Sequence, residues 1–169
     1  MSAGTLISVE EYLRTSYHPD REYRDGVVLE RNVGDGAHSK LQTWLVWYLV
    51  AHKKQWNIEV RVELRIRARE GWFPVPDICV YERPAPEEKV PTRVPLLWIE
   101  ITSDDDSIRE IRDKVQDALA CGAPWVWVID PVTLESDLWS AAGRMQVTDQ
   151  TLRLPNSAIV IPLREVVQE

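Results

Sequence analysis

The chain has 169 residues, about one domain's worth, of which 44% are apolar and 28% charged. A chain of this size can bury roughly two-thirds of its unfolded surface without disulfide or metal staples, and its composition excludes wholesale disorder, collagen-like sequence and disulfide miniproteins. The 20 Lys and Arg against 27 Asp and Glu give a net charge of −7, which argues against a broad basic face for nucleic acid but allows carboxylates that hold a divalent cation and contact phosphate locally.

Ser8-Val9-Glu10-Glu11 reads as a capping box opening a helix to about Tyr17, and His18-Pro19-Asp20 ends it. Asp25-Gly26 between β-prone arms predicts a hairpin over 22–31. Gly34-Asp35-Gly36 reads as a loop. Leu41, Trp44, Leu45, Tyr48 and His52 then follow helical spacing over 38–53. Residues 58–68 alternate, apolar from Ile58 to Ala68 and charged from Glu59 to Arg67, which predicts a strand with its charged row in water, broken at Gly71. A second strand is expected over 75–81, a proline-rich exposed loop over 84–95, and a largely apolar central strand over 96–102. Asp106 or Ser107 caps the next helix, whose buried face is read as Ile108, Ile111, Val115, Ala118 and Leu119, and Gly122-Ala123-Pro124 stops it. Residues 125–129 form another buried strand, followed by short strands to 160 and a helical turn over 163–167. This order predicts a single α/β domain over 1–169 with a mixed sheet flanked by helices.

No apolar run approaches the ~20 residues of a membrane span, and residues 1–7 lack the basic start of a secretory signal. Cys79 and Cys121 are far apart and form no CxxC, so they read as reduced core thiols. A cytoplasmic protein without membrane contact is expected. The eight tryptophans stand mostly in apolar periodic segments, which favours core packing over a carbohydrate platform.

Three polar residues fall where polarity is costly. Asp77 follows Pro76 inside one predicted strand, and Glu100 interrupts Leu96-Leu97-Trp98-Ile99-Glu100-Ile101-Thr102. An ionised carboxylate in a buried strand costs several kcal/mol unless it is paired or binds a metal. Lys114 lies about 40° from Ala118 at ~100° per residue, on the flank of the helix's apolar face, from where its stem can cross the sheet toward the strand ends. Neighbouring strands could present Asp77 and Glu100 to one hard cation, Mg²⁺ or Mn²⁺. The cation would activate water, and the lysine would orient that water or offset transition-state charge.

Pro76-Asp77, Glu100-Ile101-Thr102-Ser103, Lys114 and the run from Gly122 through Trp127 to Asp130-Pro131 resemble the Uma-type restriction endonucleases, a branch of the PD-(D/E)XK nuclease superfamily. Glu22-Tyr23-Arg24-Asp25-Gly26 and Gly36-Ala37-His38-Ser39 extend the likeness, which spans residues 12–139. The resemblance implies a restriction-endonuclease-like core, Asp77 and Glu100 as metal ligands, and an assisting lysine. Thr102 stands where the superfamily places that lysine two positions after the Glu, and the resemblance implies that Lys114 of the following helix takes its place. Glu22 and His38 match recurring family positions, Glu22 as a further carboxylate near the metal and His38 as a contact to substrate or water. Asp104, Asp105 and Asp106 read as a solvated cap, and Asp130 as a turn residue. The expected function is Mg²⁺-dependent hydrolysis of DNA, with a homodimer favoured because cutting two strands usually needs two sites. The alternative is a nuclease-fold binding or assembly module with weak or no hydrolysis.

Overall fold

The computed structural model describes residues 6–168; residues 1–5 of the stretch read for a leader lie outside it. Its elements run α1 (Val9–Arg14), β1 (Glu22–Arg24), β2 (Val27–Leu29), α2 (Gly36–Ala51), β3 (Ile58–Val62), β4 (Trp72–Phe73), β5 (Ile78–Glu82), β6 (Leu97–Ile101), α3 (Ile108–Ala120), β7 (Trp125–Ile129), β8 (Ser136–Ser140), β9 (Gly143–Val147), β10 (Thr151–Arg153), β11 (Val160–Pro162) and α4 (Leu163–Gln168). The expected mixed sheet has six strands in the order β3-β5-β6-β7-β8-β9, with β6 in its interior. Its pairs are antiparallel except for β6 and β7, which run parallel across the α3 crossover. A smaller sheet, β2-β1-β4, stands beside it, and β10 pairs with β11.

The alternation of β6 divides the interior in two. Leu97, Ile99 and Ile101 point into a large core with Leu41, Leu45 and Leu49 of α2 and Leu163 and Val166 of α4. Trp98 points to the other face, where it meets Trp72 and the α3 residues Val115 and Ala118. Successive strand side chains take opposite faces, so Glu100 belongs on the α3 side with Trp98. A third cluster, Tyr12, Tyr23 and Phe73, ties α1 to the small sheet.

Capping chemistry sets the helix bounds. Ser8 accepts the Glu11 N–H at the start of α1, which ends at Arg14, short of Tyr17, with Thr15 Oγ1 donating back to the Glu11 carbonyl. Asp35 accepts the His38 N–H and starts α2 at Gly36, so part of the expected loop is helix. A complete capping box stands at α3, between Ser107 and Glu110. Ile108 is 78% exposed and does not join the buried face of α3: it is the first helical residue after the Ser107 cap, whereas the buried contacts lie further along, at Val115 and Ala118.

The strand expected over 58–68 ends at Val62. Glu63 takes a positive φ of 47°, and its N–H makes one last bond in the β5 register, to the Asp77 carbonyl, before the chain turns away. The charged row does not all face water: Arg65 bonds Asp20 and lies over the Tyr12 ring, 4.5 Å from its centroid. The strand expected over 75–81 begins instead at Ile78, and Trp72–Phe73 pairs separately with β1. Asp77 therefore sits at a strand end. Trp72, Trp98 and Trp127 are buried, but Trp47 is half exposed on the outer face of α2. Cys79 and Cys121 are free thiols.

Leu45 anchors α2 on the large core with no exposed surface. Leu45→Ala should lower Tm by roughly 6–12 °C, the effect of about 3 kcal/mol in a chain of this size; a thermal melt showing a loss below about 2 °C would contradict this packing.

Candidate active site

Antiparallel pairing brings the two carboxylates together. Ile78 faces Ile99 and Cys79 faces Trp98 in the β5–β6 ladder. One step beyond the last pair, Asp77 stands opposite Glu100, and residues opposite each other in such a pair share a face. The backbone joins them further: the Ile101 N–H, next after Glu100, donates to Asp77 Oδ2 at 2.8 Å. Both line one cleft of about 330 Å³.

Lys114 enters from above. Val115 and Ala118 fix the rotation of α3 by packing on the sheet, and the neighbouring Lys114 lays its stem across the flank. Its Nζ lies 3.0 Å from Glu100 Oε1 and 3.1 Å from Glu22 Oε1. Glu22, on β1 of the small sheet, also accepts the Val75 N–H at 3.0 Å. One ammonium thus ties carboxylates from two sheets. The Trp98 indole N–H donates to Glu100 as well.

His38 and Arg31 hold Asp77. His38, in the first turn of α2, places Nε2 3.2 Å from Asp77 Oδ2, and the Arg31 guanidinium reaches Oδ1 at 3.2 Å. Gly34 makes room for the imidazole: a Cβ there would stand 2.4 Å from His38 Nδ1. Gln42 of α2 donates to the Asp77 carbonyl at 3.1 Å. Asp77, Glu100, Lys114, Glu22 and His38 are thus all in one cleft. Arg31, Trp98 and Gln42 belong with them but were missed by the sequence reading. The i, i+2 relation of Trp98 to Glu100 was a readable signal; Arg31 and Gln42 had none. Asp104, Asp105 and Asp106 do not form one solvated cap. Asp106 accepts from Ser103 N–H at 2.8 Å and from Asn32 across the cleft at 2.6 Å. Asp130 accepts the Val132 and Thr133 N–H groups, as a turn residue does.

The charges respond to this crowding. Burial, with Asp77 and Glu22 nearby, raises the Glu100 carboxyl from 4.5 to about 7, despite the counterpull of Lys114. Burial would also neutralise Lys114, but Glu100, Glu22 and Asp77 outweigh it and hold the ammonium protonated. Burial works to raise Asp77, yet the His38 bond, Lys114 and the Ile101 amide pull it below its ordinary value. The bond to Asp77 raises His38 against the effect of burial.

The donor set fits a hard cation in chemistry: two carboxylates share a cleft, and one of them is short of positive charge. Among the described residues, no three His, Cys, Asp or Glu form a ready ligand group. Asp77 and Glu100 would therefore be supplemented by backbone or solvent oxygen.

The model of the Uma2 family, described as "Putative restriction endonuclease", matches residues 9–163. The chain belongs to the Uma2 family. A crystal structure of a putative nuclease belonging to DUF820 from Anabaena variabilis has the same fold, with a TM-score of 0.80 and 23% identity over 95% of this chain and 97% of that one. No curated protein matches the chain. Membership in Uma2 makes the coarse function nuclease-like, and no helix among the described residues of this family member is long and apolar enough to cross a membrane.

A pH prediction follows for the metal-free protein. The folded Glu100 carboxyl titrates at about 7 against 4.5 when unperturbed, so between those values the folded state binds more protons than the unfolded one. The contribution of Glu100 to stability should therefore fall as pH rises through that window. Glu100→Gln should flatten that part of the Tm profile and melt at an equal or higher temperature at pH 8. A parallel profile, or a markedly lower melt at pH 8, would mean that the Glu100–Lys114 ion pair is a net structural support.

Proposed function

We propose that this protein is a divalent-cation-dependent endonuclease that hydrolyses DNA phosphodiester bonds by attack of water. The observation that carries the reading is Lys114, an α3 lysine within 3.1 Å of both Glu22 and Glu100 in a cleft that Asp77 also lines. Asp77 and Glu100 would hold Mg²⁺ or Mn²⁺. Bound there, such a cation polarises a phosphoryl oxygen and lowers the pKa of water.

The chain's own groups supply the remainder. Lys114, held protonated by its carboxylates, acts as a fixed donor toward a phosphoryl oxygen and offsets charge as the transition state forms; its charge state makes it unsuited to act as the base. Glu22 is a positioning residue, anchored on the Val75 N–H and restraining the ammonium. His38 is a positioning residue for Asp77, its ring steered by the start of α2 at Asp35. Two copies of the site, supplied by a homodimer, would serve the two strands of a duplex.

A second reading has its own observation. Acidic side chains outnumber Lys and Arg eight to three in the cleft lining, which repels phosphate unless cations are bound. That balance suits a nuclease-fold binding module without hydrolysis.

Nicking of supercoiled plasmid separates the two. Wild type should nick with Mg²⁺ or Mn²⁺, and Asp77→Asn and Glu100→Gln should each lose at least about 10³-fold in rate while remaining folded by circular dichroism. Lys114→Met should lose roughly 10²–10³-fold. If wild type fails to nick with either cation, and neither raises its Tm, the binding module is the correct reading.

A further inference from the structure

The two oxygens of Asp77 are held differently. Oδ2 takes the Ile101 N–H at 2.8 Å and faces His38 Nε2 at 3.2 Å, so backbone and helix both fix it. Oδ1 has a single partner among the described residues, the Arg31 guanidinium at 3.2 Å. Arg31 lies on the irregular segment between β2 and α2, in neither helix nor strand. Its next carboxylate, Glu63, is 3.9 Å away, beyond a hydrogen bond. The other cations lining the cleft are more firmly tied. Lys114 is shared by Glu22 and Glu100. Arg24 bonds Asp117 and covers the Trp72 ring. Arg31 is therefore the cleft cation with the least to lose by moving.

Resting on the nuclease reading above, we infer that Arg31 is a placeholder cation: it neutralises Asp77 through Oδ1 when no metal is bound, yields that oxygen to the divalent cation, and then holds a non-bridging phosphate oxygen of the substrate. A buried carboxylate left unpaired is expensive, which accounts for a guanidinium on Asp77. The exchange avoids leaving Asp77 uncompensated at any stage. Once released, the planar fork of Arg31 presents paired N–H donors that match phosphate geometry, which a lysine ammonium does not. In a cleft where acids exceed bases eight to three, a donor freed only after a cation has entered also orders the events. Phosphate finds its partner after the metal is in place.

The test uses wild type, Arg31→Gln and Arg31→Lys in two titrations, neither of which measures turnover. The first is Mn²⁺ alone, followed by electron paramagnetic resonance of free Mn²⁺ and by Tm. Arg31→Gln should melt lower than wild type without metal, yet bind Mn²⁺ roughly tenfold more tightly, since it has lost its competitor. Arg31→Lys should stay near wild type. The second is binding of a fluorescein-labelled DNA duplex by anisotropy in Ca²⁺. Here both variants should bind about tenfold more weakly than wild type, Lys because it lacks the paired fork. If wild type binds Mn²⁺ and Arg31→Gln binds it no more tightly, the placeholder role is overturned while the nuclease reading stands. Equal duplex binding by all three overturns the phosphate role alone. Should none of the three proteins bind Mn²⁺, this inference and the nuclease reading fall together.

Discussion

The cost of placing two carboxylates side by side at the buried end of a sheet governs the organisation of this protein. Asp77 and Glu100 stand opposite each other one step beyond the β5–β6 ladder. Neither carboxylate can remain ionised there without compensation, because removal from water and mutual repulsion both favour the neutral acid. Compensation comes from outside the sheet. The helix α3 supplies Lys114, the start of α2 supplies His38, the segment between the hairpin and α2 supplies Arg31, and Glu22 of the small sheet restrains the lysine. The cleft is where four elements meet because the charges require partners from each.

The compensation is uneven. Asp77 has a backbone amide, an imidazole and a guanidinium, and its carboxyl stays below its ordinary range. Glu100 shares one ammonium with Glu22, and its carboxyl rises to about 7. The two carboxyls are thus displaced in opposite directions across one cleft. Strongly displaced carboxyls of this kind occur in structural ion-pair networks and in sites that take up cations or handle protons. The nuclease-like character of the Uma2 family agrees with a cleft of this kind.

The surroundings of this arrangement are packed side chains on one side and loop contacts on the other. Under Glu100 and Lys114 lie Trp98, stacked on Trp72 with centroids 6.0 Å apart, and the buried face of α3. The sheet beneath Asp77 packs on α2 through Leu41, Leu45 and Leu49. Across the mouth, the contacts are loop to loop, with Asn32 on Asp106 and Arg31 on Asp77.

Much of this was legible in the sequence because it is written in local periodicity. The nearly unbroken apolar run Leu97-Trp98-Ile99-Glu100-Ile101 marked a central strand with one misplaced charge, and the apolar face of α3 set the rotation that sends Lys114 to the sheet. Asp25-Gly26 marked the hairpin, both residues taking the positive φ that such a turn demands. The ordered set Glu22, His38, Asp77, Glu100 and Lys114 was readable as a resemblance, but residue types in order carry no distances. Tertiary structure alone decided that Lys114 serves Glu22 as well as Glu100, that His38 bonds Asp77, and that Arg31 takes the remaining oxygen. It also ended β3 at Val62, next to the positive φ of Glu63, although the alternation continues to Ala68. Periodicity reports which face of an element is buried. Which charge answers which depends on the approach of segments distant in the chain, and a loop residue such as Arg31 carries no periodic signal to foretell it.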